Sequence, residues 1–471
     1  MSCTSVYGNL CCCVRWLLPM AHHSKDEIKM INPQETIKKT SSYIKTSATV
    51  KIFSMGILVL VLLIPASMIK SLIHERESRK NTVVDEISSK WGTSQTITGP
   101  FITIPYKNFY KDNDEKTKFN INYLHILPDE LNISGEIMPE IRYRSLYEAV
   151  LYNVRLDFNG TIKIPPLSHL NIEDENVLWD KAFFSIGITD LRGIQEKIGI
   201  QFNEAVYDCN PGLKTTDLAS SGVGTLIQSM STEGKNKFSF KINVNGSEQL
   251  NFIPVAETNT VKLHSKWPSP SFNGAFLPAS REVKDDGFSA KWKVLHLNRN
   301  YPQYWIGNQY KIEESAFGLK LMLTADVYQK ATRISKYAIM FIIFTFSAFF
   351  FSEIINKRKL HPIQYILIGL AVLLFYTLLI SLSEYIKFNY AYIASAASIT
   401  IAITGYAYGI IKNKRFAYTV SGILTILYSY LFIVLQLEDY ALIMGSIGLF
   451  IILSSVMYIT RKIDWYAIET D

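Results

Sequence analysis

Long apolar runs dominate the last third of the chain. An α-helix of roughly 20 residues crosses the hydrocarbon layer of a bilayer, which is about 30 Å thick. Runs of about this length lie at about 336–354, 363–385, 390–411, 416–437 and 440–460, and another lies at 51–70. The pattern therefore predicts six membrane-spanning helices, five of which form a bundle over 333–466.

The segment 71–332, between the first two apolar runs, has the composition of a soluble domain. Apolar and polar residues alternate in it, as at Phe238, Phe240 and Ile242. This alternation is typical of strands with one buried face, which favours antiparallel sheets packed as a sandwich. The predicted fold class is therefore α+β: a six-span α-helical bundle with a large β-rich, sandwich-like antiparallel domain inserted between spans 1 and 2.

Finer features of this domain follow from its turn formers. Asn159-Gly160 and Asn245-Gly246 each end an alternating stretch, and Asn-Gly is a favoured pair for two-residue hairpins. Short helices are expected at 179–184 and 190–198. The Trp-, Phe- and Pro-rich stretch 267–278 is expected to be an ordered loop that covers the sheet, with a ligand-binding loop as the alternative.

The chain has a formal net charge of +7, and several of its basic residues cluster at the ends of the apolar runs. Basic residues at 357–359, 412–415 and 461–462 fall on alternate connections. Short loops rich in Lys and Arg stay in the cytoplasm, so both termini are predicted to be cytoplasmic and 71–332 periplasmic. Residues 1–50 form a leader that is expected to be disordered, and 461–471 form a cytoplasmic tail.

Composition argues against several classes of site. Four of the five cysteines, Cys3, Cys11, Cys12 and Cys13, lie in the leader, so Cys209 has no disulfide partner in the exported segment. The eight histidines are scattered, and no phosphate loop or nucleophile motif is present. The sequence shows no dense Lys/Arg face of the kind that binds nucleic acid. No catalytic residue, cofactor or metal is therefore predicted.

The best candidates for function are polar residues at the ends of predicted spans, because a charge in hydrocarbon costs at least about 2.5–3.5 kcal/mol. This candidate cluster lies at the external ends of the spans and comprises Arg333, Lys336, Glu384, Gln436, Glu438 and Asp439. One interpretation is a structural cluster that ties the bundle to the exported domain. The other is a substrate or proton site.

Several strings in a fixed order resemble the CreD family of bacterial inner-membrane proteins, which are often called cell-envelope integrity proteins. The resemblance covers about 50–466. The strings include Arg333–Ile339, Leu360–Tyr365, Ser381–Glu384, Leu435–Leu442, Met457-Tyr458 and Asp464–Tyr466, and in the exported part Trp91-Gly92, Gly99-Pro100, Arg192–Ile194, Trp267-Pro268 and Pro270–Phe272.

The resemblance implies a Gram-negative inner-membrane protein that is tied to a two-component stress response and affects envelope integrity. It implies no enzymatic reaction. We therefore predict a non-enzymatic factor whose periplasmic domain contacts membrane lipids, envelope proteins or wall components. The alternative is a transporter or flippase that uses the external acidic cluster, and a third class is a membrane-bound enzyme with a polar cleft.

Overall fold

The computed structural model of the protein describes residues 48–112, 114–228, 230–232, 234–323, 327–356, 360–436 and 441–461. The cysteine-bearing leader, the charges at 357–359 and the tail after Arg461 lie outside these ranges. The helices in the described chain are α1 Ala48–Trp91, α2 Val327–Ser335, α3 Ala338–Asn356, α4 Pro362–Ser383, α5 Phe388–Ile411, α6 Lys414–Gln436 and α7 Ala441–Thr460.

The chain between α1 and α2 is built from strands. They are β1 Gln95–Lys111, β2 Thr117–Ile126, β3 Glu130–Arg144, β4 Tyr147–Lys163, β5 Phe183–Ile188, β6 Gly199–Phe202, β7 Ala205–Asp208, β8 Asn210–Pro211, β9 Gly222–Leu226, β10 Lys235–Ser247, β11 Gln249–Ile253, β12 Thr258–Ser265, β13 Pro270–Gly274, β14 Ser280–Lys284, β15 Gly287–Leu295, β16 Tyr304–Ile306 and β17 Phe317–Leu321.

These strands form two sheets that pack face to face. One sheet has the order β13-β17-β11-β1-β5-β9-β8, with β2 paired to β1 and β16 paired to β2. The other has the order β14-β15-β12-β3-β4-β10-β6-β7. Phe184 of the first sheet meets Phe202, Phe238 and Phe240 of the second at ring-centroid distances of 5.6–6.0 Å, so aromatic residues fill the space between them.

Two of the strand pairs depart from the predicted antiparallel arrangement. Strand β1 pairs with β11, and β3 pairs with β12, in parallel. Parallel neighbours need a long crossover connection, and both pairs join strands that are far apart in the sequence. The sheets are therefore mixed rather than purely antiparallel. The alternation of apolar and polar residues within one strand does not show whether its neighbour will be parallel or antiparallel.

The two predicted Asn-Gly hairpins are wrong. Both pairs lie inside long strands, Asn159-Gly160 within β4 and Asn245-Gly246 within β10. A Cβ atom on Gly160 would lie 2.1 Å from the carbonyl oxygen of Glu130, and one on Gly246 would lie 2.3 Å from the Tyr152 hydroxyl. The two glycines thus permit close approach within the sandwich rather than a turn.

The short helices predicted in the domain are also wrong. Trp179–Lys181 and Leu191–Gly193 are single 3₁₀ turns, and β5 occupies most of the remainder of the first segment. The aromatic stretch 267–278 contains β13, whose Phe272 ring packs edge-on against Phe288 and Trp292. It therefore contributes to the core of the sandwich.

Four helices in the described chain, α1, α4, α5 and α6, are long and apolar enough to cross a membrane. Helices α2 and α3 could form a fifth span as a pair bent by 49°. The protein is therefore α+β, with a large β-rich domain and four or five candidate membrane helices. The six-span count, and with it the insertion of the domain between spans 1 and 2, stays a prediction.

The chain divides into two compact units, and the unit 59–446 contains the sandwich and most of the helical residues. The other unit comprises the chain before 59 and after 446. The contacts of α1, α2 and α4 with one another and with the sandwich that are given by residues 73–384 lie within the unit 59–446.

Helix α1 contacts both the sandwich and the other helices along one apolar stripe. Ile73 packs against Ala331 of α2 and Ile380 of α4. Further along α1, Val84 packs against Ala149 and Leu151 of β4. Helix α1 therefore packs against both the sandwich and the helices α2 and α4.

The end of α1 is fixed tightly to the sandwich. The Trp91 indole donates a hydrogen bond of 3.2 Å to the carbonyl of Tyr152, and the Arg142 guanidinium lies 3.9 Å from the centre of the Trp91 ring. After Gly92, the backbone N–H and hydroxyl of Thr93 both donate to the Asp190 carboxylate. The hydrogen-bonded Arg192 guanidinium beside Asp190 holds the pKa of the Asp190 carboxyl well below its usual range.

Candidate functional site

The turn between β3 and β4 brings the sandwich to the helices. Ser145 adopts a left-handed conformation in this turn, with φ of 57°. The Tyr147 side chain that follows lies beside Tyr328 of α2 and interacts with its phenol. This turn therefore places a residue of the sandwich at the ends of the helices.

Glu384, the residue that follows α4, is the acidic centre of this junction. Its carboxylate accepts a hydrogen bond of 3.1 Å from the Tyr328 hydroxyl and lies 3.6 Å from a guanidinium nitrogen of Arg76 on α1. Only 9% of the Glu384 side chain is exposed. Burial of a polar group is costly unless it has such partners. The contacts join α1, α2 and α4 at one point.

A cavity of about 540 Å³ opens beside Glu384, which we call the junction cavity. Its lining comes from α1, the β3–β4 turn, the segment before and within α2, the α4–α5 connection and the end of α6. The lining residues are Lys80, Leu146, Tyr147, Glu148, Leu323, Val327, Tyr328, Lys330, Ser383, Glu384, Tyr385, Ile386, Lys387, Phe388, Asn389 and Gln436.

Aromatic rings and amides organise the polar lining of the junction cavity. The Lys330 ammonium lies 5.6 Å from the centre of the Phe388 ring, which is a cation–π distance. The Gln436 amide donates a hydrogen bond of 3.0 Å to Asn389. The described lining thus combines three lysines, two amide groups and two carboxylates, a set suited to holding a polar ligand.

The structure brings together only some of the residues of the predicted cluster. Glu384 and Gln436 line the junction cavity, whereas Arg333 and Lys336 are not among its described lining residues. Glu438 and Asp439 lie outside the described ranges. The proposed role of the six residues therefore stays a prediction.

Arg76 and Lys80 of α1 were missed by the sequence reasoning. A signal for them exists, because they lie at helical spacing in the stripe formed by Ile73, Val84 and Ile87. Charges within an apolar stripe indicate buried or partly buried partners. Tyr328 and Tyr147 gave no comparable signal, because each is one of 27 tyrosines in the chain.

A second buried carboxylate, Glu353, lies near the other end of α4. It is 6% exposed and accepts hydrogen bonds of 3.0 Å from the Leu360 backbone N–H and from the Tyr365 hydroxyl. His361 caps α4 by accepting from the N–H of Ile363, and Pro362 is the first helical residue. These contacts hold the start of α4 against α3.

His125 in the sandwich forms a third polar group. Its Nε2 lies 2.8 Å from Asp217, and its Nδ1 lies 3.1 Å from the Thr103 hydroxyl. Burial lowers the pKa of His125, so the neutral ring donates to Asp217 and accepts from Thr103. Thr103 is 1% exposed, which closes this acid–histidine–hydroxyl set to substrates and gives it a structural role.

Metal chemistry finds no support among the described residues. No group of three or more His, Cys, Asp or Glu side chains in those ranges could hold a metal ion. The single cysteine there, Cys209, is a poor nucleophile, because burial raises the pKa of its thiol to about 12.

Comparison with solved structures is uninformative. The crystal structure of Legionella pneumophila aminopeptidase A in complex with aspartic acid is 10% identical and covers 36% of this chain and 19% of its own, with a TM-score of 0.17. A score this low carries no argument about fold or function.

Comparison with protein families is decisive. The family model described as "Inner membrane protein CreD" matches residues 47–466. The inner membrane protein CreD of Escherichia coli (strain K12) is 32% identical over 417 residues, which cover 87% of this chain and 92% of that protein. A match of this length includes the sandwich, the junction cavity and the candidate membrane helices, and so the chain belongs to the CreD family of inner membrane proteins.

Proposed function

We propose that this protein supports the integrity of the cell envelope under stress without catalysing a reaction. Its sandwich would lie in the periplasm and bind an envelope component, while six spans anchor it in the inner membrane. The contact of Glu384 with Tyr328 and Arg76 carries the proposal, because it is the point at which a change in the sandwich can reach the helices.

The path from sandwich to helices has few steps. Tyr147, the first residue of β4, touches Tyr328, and Tyr328 donates to Glu384 at the end of α4. Helix α1 makes a second, parallel connection through Trp91 at its end and Arg76 about four turns earlier. A ligand that moves the turn relative to α1 would change the bonding of Glu384. Coupling of this kind needs an element with two arrangements, and the junction is our candidate for it.

The proposed orientation rests on the charge of the connections. The α5–α6 connection carries Lys412, Lys414 and Arg415, whereas the α4–α5 connection at the junction cavity carries Lys387 beside Glu384. By the positive-inside rule the former is cytoplasmic, which puts the junction and the sandwich on the periplasmic side.

Cysteine labelling in cells tests this orientation. A membrane-impermeant maleimide should label Asp286→Cys, in the β14–β15 turn, once the outer membrane is permeabilised. It should label Arg415→Cys only after lysis. Both variants are made in a chain whose five native cysteines are replaced by Ser, and that cysteine-free chain provides the background. Labelling in the reverse order would overturn the orientation.

Survival of bacteria tests the function itself. In a Gram-negative strain that lacks its own CreD protein, the full chain should restore growth in the presence of envelope-active agents. Glu384→Gln should restore it poorly although the protein reaches the membrane at normal abundance. Glu282→Gln, which changes an exposed sandwich carboxylate, is the matched control. Equal rescue by both variants would contradict a role for the junction.

A transporter or flippase is the second candidate, and the bent pair α2–α3 favours it. Helices α2 and α3 meet at 49° near Lys336, and α2 contributes Tyr328 and Lys330 to the junction cavity. Bent spans beside a polar cavity are common in transporters. Purified protein in sealed vesicles should then move a lipid or ion, and Glu384→Gln should abolish that flux. An integrity factor would show no flux in either form.

A further inference from the structure

The junction cavity lies at the ends of two candidate membrane helices, α4 and α5. Helix α4 ends at Ser383, α5 begins at Phe388 and α2 begins at Val327, and the cavity is lined at all three points. The headgroup regions add roughly 5–7 Å on each side of the hydrocarbon. Residues just beyond the ends of membrane helices therefore lie at headgroup depth.

Three lysines from separate elements converge on the cavity: Lys80 of α1, Lys330 of α2 and Lys387 of the α4–α5 connection. Within the described residues, neither Lys330 nor Lys387 forms an ion pair, and the Lys330 ammonium lies over the face of Phe388. The lining also contains two acids. Glu384 is engaged by Arg76 and Tyr328, and Glu148 stands opposite on β4. The described part of the lining therefore carries one net positive charge, and two of its ammonium groups form no ion pair with a described residue.

The remaining lining suits a phosphate ester on a lipid better than a free anion. Asn389 and Gln436 supply amide donors at one wall. At the mouth, Leu146 is 38% exposed and Ile386 is 43% exposed, which is unfavourable in water but not beside acyl chains. Its volume of about 540 Å³ is within the usual range for small-molecule sites, about 300–1,000 Å³.

We propose that the junction cavity binds the phosphate headgroup of an anionic membrane lipid, with Lys330 and Lys387 as its main cationic contacts. Lysine holds phosphate as a point charge, and two lysines on different elements would clamp one headgroup between α2 and the start of α5. The inference rests on the proposed function for the side of the membrane. It makes the junction responsive to the composition of the leaflet that faces the sandwich.

Native mass spectrometry of the full chain in detergent tests the proposal, with phosphatidylglycerol as the probe. Wild-type protein should retain one phosphatidylglycerol molecule, and Lys330→Gln/Lys387→Gln should bind it about thirtyfold more weakly, since each lysine near an anionic lipid strengthens binding about fivefold. The matched control, Lys262→Gln/Lys291→Gln, removes two exposed lysines from β12 and β15 and should bind as the wild type does.

Three results would overturn the proposal. Equal binding by wild type and the cavity variant would show that the two lysines do not hold the lipid. An equal loss in the control variant would show nonspecific attraction. Full displacement of the lipid by millimolar inorganic phosphate would assign the cavity to a free anion. If the double variant unfolds, Lys387→Gln alone, at an exposed position, should weaken binding about fivefold.

A negative result would not disprove the proposed function. The survival assay with Glu384→Gln asks whether the junction matters for the envelope, whatever the cavity binds. Loss of lipid binding with unchanged survival would separate the two conclusions, as would the reverse.

Discussion

The two ends of α4 each have a nearly buried carboxylate, but their partners differ. Glu353, beside the start of α4, bonds to groups 7 and 12 residues away along the chain. Glu384, at its other end, bonds to Tyr328, 56 residues away, and contacts Arg76 on the first helix. One carboxylate closes a local connection, and the other joins distant parts of the protein.

This difference separates a structural carboxylate from a candidate functional one. The two hydrogen bonds that Glu353 accepts from Leu360 and Tyr365 need only α3 and the start of α4 to lie side by side. Those of Glu384 require α1, α2 and α4 to be assembled, and a cavity opens beside them. Burial alone would not have distinguished the two, since both side chains are less than a tenth exposed.

The largest expected effect on stability is that of Glu353→Ala. The substitution leaves the Leu360 N–H and the Tyr365 hydroxyl without this acceptor in a buried place, and each unsatisfied group costs about 1–3 kcal/mol. We expect a loss of about 3 kcal/mol, measured by thermal unfolding in detergent. Glu353→Gln keeps one acceptor and should lose less. If Glu384→Ala were the more damaging of the two alanine variants, the proposed division of roles would be reversed.

Removal of one hydroxyl at each end provides a finer comparison. Tyr365→Phe and Tyr328→Phe each delete a hydrogen bond to a carboxylate, which contributes about 1.5–3 kcal/mol. We expect Tyr365→Phe to lower stability by about 2 kcal/mol and to leave bacterial survival unchanged when the protein is present at normal abundance. Tyr328→Phe should lower survival more than its stability loss explains. Parallel changes in both assays for both variants would argue against a functional junction.

Much of the architecture was accessible from the sequence, because alternation and long apolar runs are local patterns. Phe238, Phe240 and Ile242 alternate as predicted and point into the core. The Asn-Gly pairs misled because the requirement for glycine at Gly160 and Gly246 comes from Glu130 and Tyr152, which lie on neighbouring strands. Local turn preferences cannot reveal such an approach.

The junction was only partly accessible for the same reason. Glu384 is a charge at the end of an apolar run, which the sequence displays directly. Its cationic partner is Arg76 rather than a neighbour in the bundle, and choosing it requires knowledge of how α1 packs. The junction cavity forms only when several elements are assembled, so the sequence of any single element does not reveal which residues line it.

The next smaller effect is the coupling between Arg76 and Glu384. The Arg76 side chain is 40% exposed, so solvent weakens its attraction to the carboxylate. A double-mutant cycle of Arg76→Gln with Glu384→Gln should give a coupling free energy of about 0.5–1 kcal/mol. Additive effects of the two substitutions would show that Arg76 of α1 does not stabilise Glu384.

The last prediction concerns pH, whose effect close to neutrality is small, and it sets the conditions for the other measurements. Burial lowers the pKa of His125 below its ordinary value of 6.5, so the unfolded chain binds more protons than the folded chain as the pH falls through that value. Stability should be complete above pH 6.5 and should decline below it, by at most about 1.4 kcal/mol per pH unit. His125→Gln should flatten the profile in that range, whereas the exposed His264→Gln should not. A decline that persists in His125→Gln would assign the titration elsewhere, and the comparison of Glu353 with Glu384 would then have to be repeated at each pH rather than once at about pH 7.5.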